Sequence, residues 1–235
     1  MNDEVKAIAN AVEATAKTAG KSVDAIRQFG GFISEFTRVP LQAGLGILGD
    51  KLVYMRWERQ QRLLVRAQHF LSEAGLTHPT RAVPLQFAVP LLEGASLEED
   101  DRLQDLWAKL LVNAANADST IERRRSFISI LEQLTALDAL ILLKIYSLFN
   151  SDTEDRAAIT TYLPAEARLW QDGDSRDRLE HPSPDVMLSL ANLVRIGCLD
   201  AEEEWSGKKD YRHAYRNVLG TAFVHSVTLH RQPEE

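Results

Sequence analysis

Hydrophobic positions recur every three or four residues through most of the chain, and this spacing predicts helices. The first periodic segment runs from Glu4 to Phe36 and the second from Leu41 to Glu73, with Pro40 between them. At about 1.5 Å per residue each helix would be about 50 Å long. We therefore expect residues 1–75 to form a long helical hairpin that projects from the body or self-associates, and Gly75 to end it.

Shorter amphipathic segments follow over residues 76–150 and predict a helical core. A short apolar helix is expected from Pro84 to Glu93. The sequence Ser96–Glu99 has the spacing of a capping box, so the next helix is expected to begin directly after Ser96. Its expected buried face consists of Leu103, Leu106, Trp107, Leu110, Leu111 and Ala114. A further helix is expected over Phe127–Leu134, and a capping pattern at Thr135 begins another.

The last third of the chain has a different pattern. Residues 151–181 are polar and weakly periodic, and we interpret them as a poorly packed connector. Residues 182–235 suggest a helix after Ser183, a short strand at Cys198–Leu199, a charged loop, a returning strand at Ala214–Val218 and a short helix capped by Asn217. The expected class is all-α, with a long N-terminal hairpin and a helical bundle, and it leaves open a degenerate winged-helix-like C-terminal module.

Composition and charge restrict the function. The chain is 45% hydrophobic and 26% charged, which is typical of a globular protein. Nearly all of the net charge of −7 lies after Leu134. The helix Asp185–Ile196, which would be the recognition helix of a winged-helix module, carries only Arg195 as a basic residue, so nucleic-acid binding is not favoured. We see no signal sequence or spanning segment and expect a cytoplasmic protein. The single cysteine, Cys198, is expected to be a small buried hydrophobe.

Basic and aromatic residues recur on the second predicted helix, and we call this set the basic strip: Tyr54, Arg56, Trp57, Arg59, Arg62 and Arg66. The strip is either a solvated face whose arginine stems cover Trp57, or a contact surface for phosphate or anionic lipid. Arg123, Arg124 and Arg125, the arginine triplet, would extend such a surface.

Acidic residues cluster where a core helix is expected to begin, and we call this set the acidic cluster: Glu98, Glu99, Asp100, Asp101 and Asp105. It either complements the helix dipole or binds a divalent metal or a basic partner. The histidines are scattered and no phosphate-binding loop follows a strand, so we expect no metal, no cofactor and no enzyme. A hydrolase using Asp50, Asp101 or Glu93 stays an alternative.

Several sequence blocks between Gly46 and Phe149 occur in a characteristic order: Gly46–Trp57, Val89–Asp101, Leu103–Ala114 and Ser126–Ala139, with a closing block at Asn217–Phe223. In this order and spacing the chain resembles the Abi-alpha (abortive infection alpha) family of bacterial proteins, a domain of unknown function. Four residues of these blocks are candidates for a structural motif: Asp50, Asp101, Trp107 and Asn113. The resemblance implies an all-α protein linked to phage defence, without settled catalytic residues.

The function we expect is phage defence through protein–protein or membrane-surface association, as a homo-oligomer or with a partner protein. Peripheral contact with an anionic membrane could use the helix Ala7–Phe36, whose polar face carries Lys17, Lys21 and Arg27. Two alternatives stay open. One is a nucleic-acid-binding regulator that uses the winged-helix-like module, and the other is the hydrolase.

Overall fold

The computed structural model describes residues 31, 34–36, 57–150, 156–175, 178–203, 205 and 207–229. Within them, seven helices are α1 (Trp57–Glu73), α2 (Leu85–Leu97), α3 (Asp101–Ala115), α4 (Arg125–Leu131), α5 (Ala136–Tyr146), α6 (Pro184–Arg195) and α7 (Val218–Ser226). Four strands are β1 (Ala158–Ile159), β2 (Arg168–Leu169), β3 (Asp200–Glu203) and β4 (Lys209–Tyr215). The predicted hairpin over residues 1–75 lies mostly outside the described residues, as do Asp50, Tyr54 and Arg56.

The C-terminal end of α1 is where the sequence predicts it. Gly75 has a φ of 75°, which a glycine adopts without a Cβ penalty. Its amide donates to the carbonyl of Ser72 at 3.0 Å, and the amide of Leu76 donates to the carbonyl of Leu71 at 2.8 Å. These two bonds form a Schellman motif that satisfies the last carbonyls of the helix, so the predicted cap is confirmed.

The boundary between α2 and α3 differs from the prediction. Ser96 lies in the last turn of α2, and its hydroxyl donates to the carbonyl of Glu93 at 2.6 Å. Asp100 caps α3 instead, because its carboxylate accepts from the amides of Arg102 and Leu103 at 2.9 and 3.1 Å. The prediction that a helix begins after Ser96 is therefore wrong, since a carboxylate that accepts from two amides outcompetes a hydroxyl already bonded within α2.

The core forms around α3. The residues predicted for its buried face are all buried: Leu103, Leu106, Trp107, Leu110, Leu111 and Ala114. They belong to one hydrophobic cluster that extends from Phe36 to Val227 and includes side chains of all seven helices. The capping box predicted at Thr135 is also present, with Asp138 as its reciprocal partner.

A small antiparallel sheet accompanies the helices. Its strand order is β2-β1-β4-β3, with Ala158 opposite Leu169 on one side and Ala214 on the other. The first two strands come from the segment predicted as a poorly packed connector, yet residues 157–160 are buried. That prediction is wrong for these residues, because strands of two residues are too short to show a periodicity in the sequence. The chain is mainly helical, as predicted, but it is not purely all-α.

The C-terminal order of helix, strand, strand and helix is as predicted. Ser183 caps α6, and Asn217 caps α7 by accepting from the amide of Gly220 at 2.8 Å. The strands lie at residues 200–203 and 209–215, whereas they were expected near 198–199 and 214–218. Because β4 also pairs with β1, the hairpin is part of the larger sheet.

Candidate functional site

Among the described residues of the basic strip, Arg59 contacts the end of a neighbouring helix. Nη1 of Arg59 donates to the carbonyls of Ser96 and Leu97 at 3.1 and 3.0 Å, and its Nη2 pairs with Glu99. Those carbonyls are at the C-terminus of α2, where the helix has no amide partners for them. The Arg59 side chain is 14% exposed. Its hydrogen bonds to the two carbonyls cap the C-terminus of α2.

The next arginines of the strip meet the acidic cluster. Arg66 donates to Asp101 and Asp105, each at 2.7 Å, and Arg62 lies 3.6 Å from Asp101. The two charged features of the sequence thus neutralise each other between α1 and α3. This pairing argues against the described part of the strip as a phosphate or lipid surface, and it gives the acidic cluster a basic partner within the chain. Trp57 begins α1.

The arginine triplet does not act as one unit. Nη1 of Arg123 donates to the carbonyl of Ala82 at 2.9 Å, and Arg124 pairs with Glu122. Arg125 is the first residue of α4 and is exposed. Burial, and secondarily the charge of Arg123, lowers the pKa of Arg81. The triplet is therefore divided between a loop contact, a local ion pair and a helix start.

Trp107 and Asn113 hold helices together. Trp107 is 1% exposed, and a Cβ on Gly94 would lie 2.4 Å from its Cη2, so the indole packs directly over the backbone of α2. Nδ2 of Asn113 donates to the carbonyls of Ser226 and Thr228 at 2.8 and 2.9 Å. Asn113 therefore ties the C-terminal end of α7 to α3.

The closing sequence block forms a second close junction. A Cβ on Gly220 would lie 2.0 Å from the carbonyl oxygen of Cys198 and 2.1 Å from Oη of Tyr146. The hydroxyl of Tyr146 donates to that carbonyl at 2.8 Å and accepts from the amide of Asn217 at 3.2 Å. Burial is the main cause that raises the pKa of Tyr146. Phe223 completes the block within the core, with its ring 6.1 Å from that of Phe127.

A polar cavity that the sequence analysis missed opens on the sheet. It has a volume of about 540 Å³ and is lined by Arg156, Ala157, Trp170, Asp172, Glu202, His213 and Tyr215. His213 is buried, with Nδ1 3.8 Å from Oε2 of Glu202 and its ring 4.9 Å from that of Trp170. Tyr215 donates to Oε1 of Glu202 at 2.8 Å. An imidazole beside a carboxylate can transfer protons or bind a metal ion.

The loop that carries Trp170 is fixed by one ion pair. Arg168 donates to both oxygens of Asp174 at 2.7 and 2.8 Å, and the amide of Gln171 donates to Asp174 at 2.8 Å. The hydrogen bonds from Arg168, followed by that from Gln171, lower the pKa of Asp174 to about 2. Sequence analysis did not reveal this cavity, because its residues come from β3, β4 and the segments that flank β1 and β2, and β1 and β2 were not predicted.

A second, more apolar groove of about 500 Å³ lies between the loop before α4 and α7. Its lining residues are Thr120, Ile121, Glu122, Arg124, Phe127, Val218, Leu219, Ala222 and His225. At its edge Val218 is 88% exposed. Glu93 and Asp101 line neither this groove nor the sheet cavity, and Asp50 lies outside the described residues.

The single basic residue of the expected recognition helix is bonded to neighbouring polar side chains. Arg195 donates to Oδ1 of Asn192 at 2.7 Å and to Oε1 of Gln133 at 3.0 Å. Among the residues that the structure describes, no single helix is long and apolar enough to cross a membrane. The helices α4 and α5 reach that length and apolar character only when they are taken together, and a bend of 120° separates them.

These features define a mainly helical protein in which Trp107, Asn113 and Gly220 lie at junctions between helices. The family model described as abortive infection alpha matches residues 58–228, most of the chain, and the protein belongs to this family. The resemblance inferred from the sequence blocks is thereby confirmed. No curated protein and no solved structure gives a significant match.

Proposed function

We propose that the protein acts in phage defence of the abortive-infection type, and that it does so by association with a second copy of itself. The observation that carries the proposal is membership of the abortive infection alpha family over residues 58–228. The positions of Trp107, Asn113 and Gly220 support self-association as the mode of action. These residues carry the sequence resemblance, and each of them lies at a junction between helices. A surface, rather than a reaction centre, is then the feature that acts.

Among the described residues, the groove beside α7 offers an apolar surface for self-association. The floor of the groove is apolar and includes Phe127 and Ile121. The exposed side chain of Val218 lies at the edge of the groove and forms an apolar knob on the same patch. A patch that carries both a knob and a groove is self-complementary, as a two-fold symmetric dimer requires. Glu122 and Arg124 at its edge offer both signs of charge.

The experiment compares two valine-to-aspartate variants. Val218 begins α7, where an aspartate is compatible with the helix dipole, so Val218→Asp disrupts the patch with little cost to the fold. Val65, 60% exposed on α1 and outside the groove, is the matched control. We expect light scattering after size exclusion to show a dimer for wild type and Val65→Asp and a monomer for Val218→Asp.

Plating of phage on expressing cells at low multiplicity tests the function itself. We expect protection by the wild type and by Val65→Asp, and loss of protection with Val218→Asp. A monomeric wild type that protects would contradict self-association but not phage defence. A wild type that protects against no phage in a broad panel would contradict phage defence.

Membrane association is the runner-up mode of action, and sedimentation with liposomes tests it. The helix proposed for it, Ala7–Phe36, lies almost wholly outside the described residues. The ion pairs of Arg59, Arg62 and Arg66 disfavour the strip as the contact surface. We expect no sedimentation with anionic vesicles, and sedimentation that Arg62→Ala abolishes would replace self-association by membrane contact through the strip.

A further inference from the structure

The hairpin of β3 and β4 contains an irregular register beside the sheet cavity. Asp200 lies opposite Tyr215, whereas Glu202 lies opposite Asp210, so β4 advances by five residues while β3 advances by two. In a regular strand Asp210 and His213 would point to opposite faces, because their separation is odd. The bulge brings both side chains to Glu202, and bulges commonly re-aim side chains at functional sites.

Three ligand-type atoms converge at the bulge. One atom each from Glu202, Asp210 and His213 lie within 4.8 Å of one another. Asp210 and His213 are each 3% exposed, and Glu202 is half-buried at the edge of the sheet cavity. Glu202 and Asp210 lie directly opposite in register, where like charges repel, and a cation near both would add to the compensation that Arg212 gives Asp210. Imidazole nitrogen and carboxylate oxygen are ligands of divalent transition metals.

The surroundings supply what a metal centre requires beyond its ligands. Tyr215 donates to Glu202 at 2.8 Å, and Arg212 donates to both oxygens of Asp210 at 2.7 to 3.1 Å. Such outer contacts orient the first ligands. The indole of Trp170 packs beside the imidazole, and Glu202 and His213 both line the sheet cavity.

We propose that Glu202, Asp210 and His213 form a binding site for one divalent transition-metal ion, for which Zn²⁺ is the probe. His213 and Glu202 provide the principal ligands, and Asp210, which also holds Arg212, completes the set. The open coordination position faces the sheet cavity and leaves room for water or an anionic ligand beside Arg156. The site differs from the association groove, and it stands or falls independently of the proposed function.

Calorimetric titration of the metal-free, full-length protein with Zn²⁺ and then with Mg²⁺ tests the site. We expect one equivalent of Zn²⁺ to bind and Mg²⁺ to bind much more weakly, since a nitrogen ligand disfavours Mg²⁺. His213→Gln and Glu202→Gln should each weaken Zn²⁺ binding by at least about tenfold. Tyr215→Phe should weaken it less, because its hydroxyl only positions Glu202.

Two matched controls identify binding elsewhere. Glu203→Gln removes the neighbouring carboxylate, which pairs with Lys209, and should leave Zn²⁺ affinity unchanged. His69→Ala removes an exposed helical histidine 3.4 Å from Glu73, the described pair best placed to bind zinc incidentally. Absence of Zn²⁺ binding by the wild type would overturn the proposal, as would binding that His69→Ala abolishes and Glu202→Gln preserves. Circular dichroism of each variant checks folding, and Glu202→Gln decides the outcome if His213→Gln does not fold.

Discussion

Replacement of Gly220 by alanine tests the junction between α5, α7 and the loop before β3. The new Cβ would lie 2.0 Å from the carbonyl oxygen of Cys198 and 2.1 Å from Oη of Tyr146. Real Cβ atoms do not approach oxygen this closely, so the backbone must move. Overpacking of this kind costs about 1–3 kcal/mol, and contact with backbone favours the upper end of that range. Alanine returns at most about 1 kcal/mol through its helix propensity.

The net expectation is a loss of about 2 kcal/mol in the free energy of unfolding. For a chain of this length that is a fall in Tm of about 4–8 °C. Urea denaturation followed by circular dichroism measures the loss. Gly31→Ala is the control, because Gly31 is a helical glycine with nothing within 4 Å of its Cβ position. It should be neutral or slightly stabilising.

A double-mutant cycle identifies the cause. Tyr146→Phe alone removes the hydroxyl that bonds Cys198 and Asn217, and it should cost about 1 kcal/mol. Combined with Gly220→Ala it also removes one of the two close atoms, so the double variant should be more stable than the sum of the single losses predicts. Rescue should be partial, because the carbonyl of Cys198 stays. A Gly220→Ala variant as stable as the wild type would refute this account of the junction.

Three further predictions follow from buried contacts. Gly94→Ala should lower the free energy of unfolding by about 1–3 kcal/mol, because the new Cβ would lie 2.4 Å from Trp107. The tryptophan fluorescence should shift as well, and unchanged stability would contradict the packing of Trp107 on Gly94. Asn113→Ala should lower the free energy of unfolding by about 1–3 kcal/mol and should speed hydrogen exchange at the end of α7. Unchanged exchange there would contradict the role of Asn113 in joining α7 to α3. Burial raises the pKa of Cys198 to about 12, so the thiol of the folded protein should not react with a disulfide reagent at pH 8. Rapid labelling in the absence of denaturant would contradict this prediction.

Local signals in the sequence predicted local structure well. The caps at Gly75, Thr135, Ser183 and Asn217 lie where they were predicted, because each depends on residues only a few positions apart. The buried face of α3 was predictable for the same reason, since helical periodicity is a property of a single segment. Ser96 shows the limit, because two capping residues four positions apart compete and the sequence does not rank them.

Features that depend on distant residues could not be predicted. The ion pairs between Arg66 and the acidic cluster join α1 to α3. The sequence analysis treated the basic strip and the acidic cluster as separate surfaces, because nothing local shows that they meet. The cavity beside His213 depends on a bulge and on strands of two residues, neither of which leaves a periodic signal. The family resemblance identified the important positions, such as Trp107, but only the packing against Gly94 shows what they do.

The most direct test of the central claim is the survival of cells that express the protein when they are infected at high multiplicity. Abortive infection by a protein of this family predicts that infected cells die or stop dividing and release few phage, while cells at low multiplicity are protected as a population. Cells that survive high multiplicity and continue to divide would contradict abortive infection, even if the protein lowers the number of plaques.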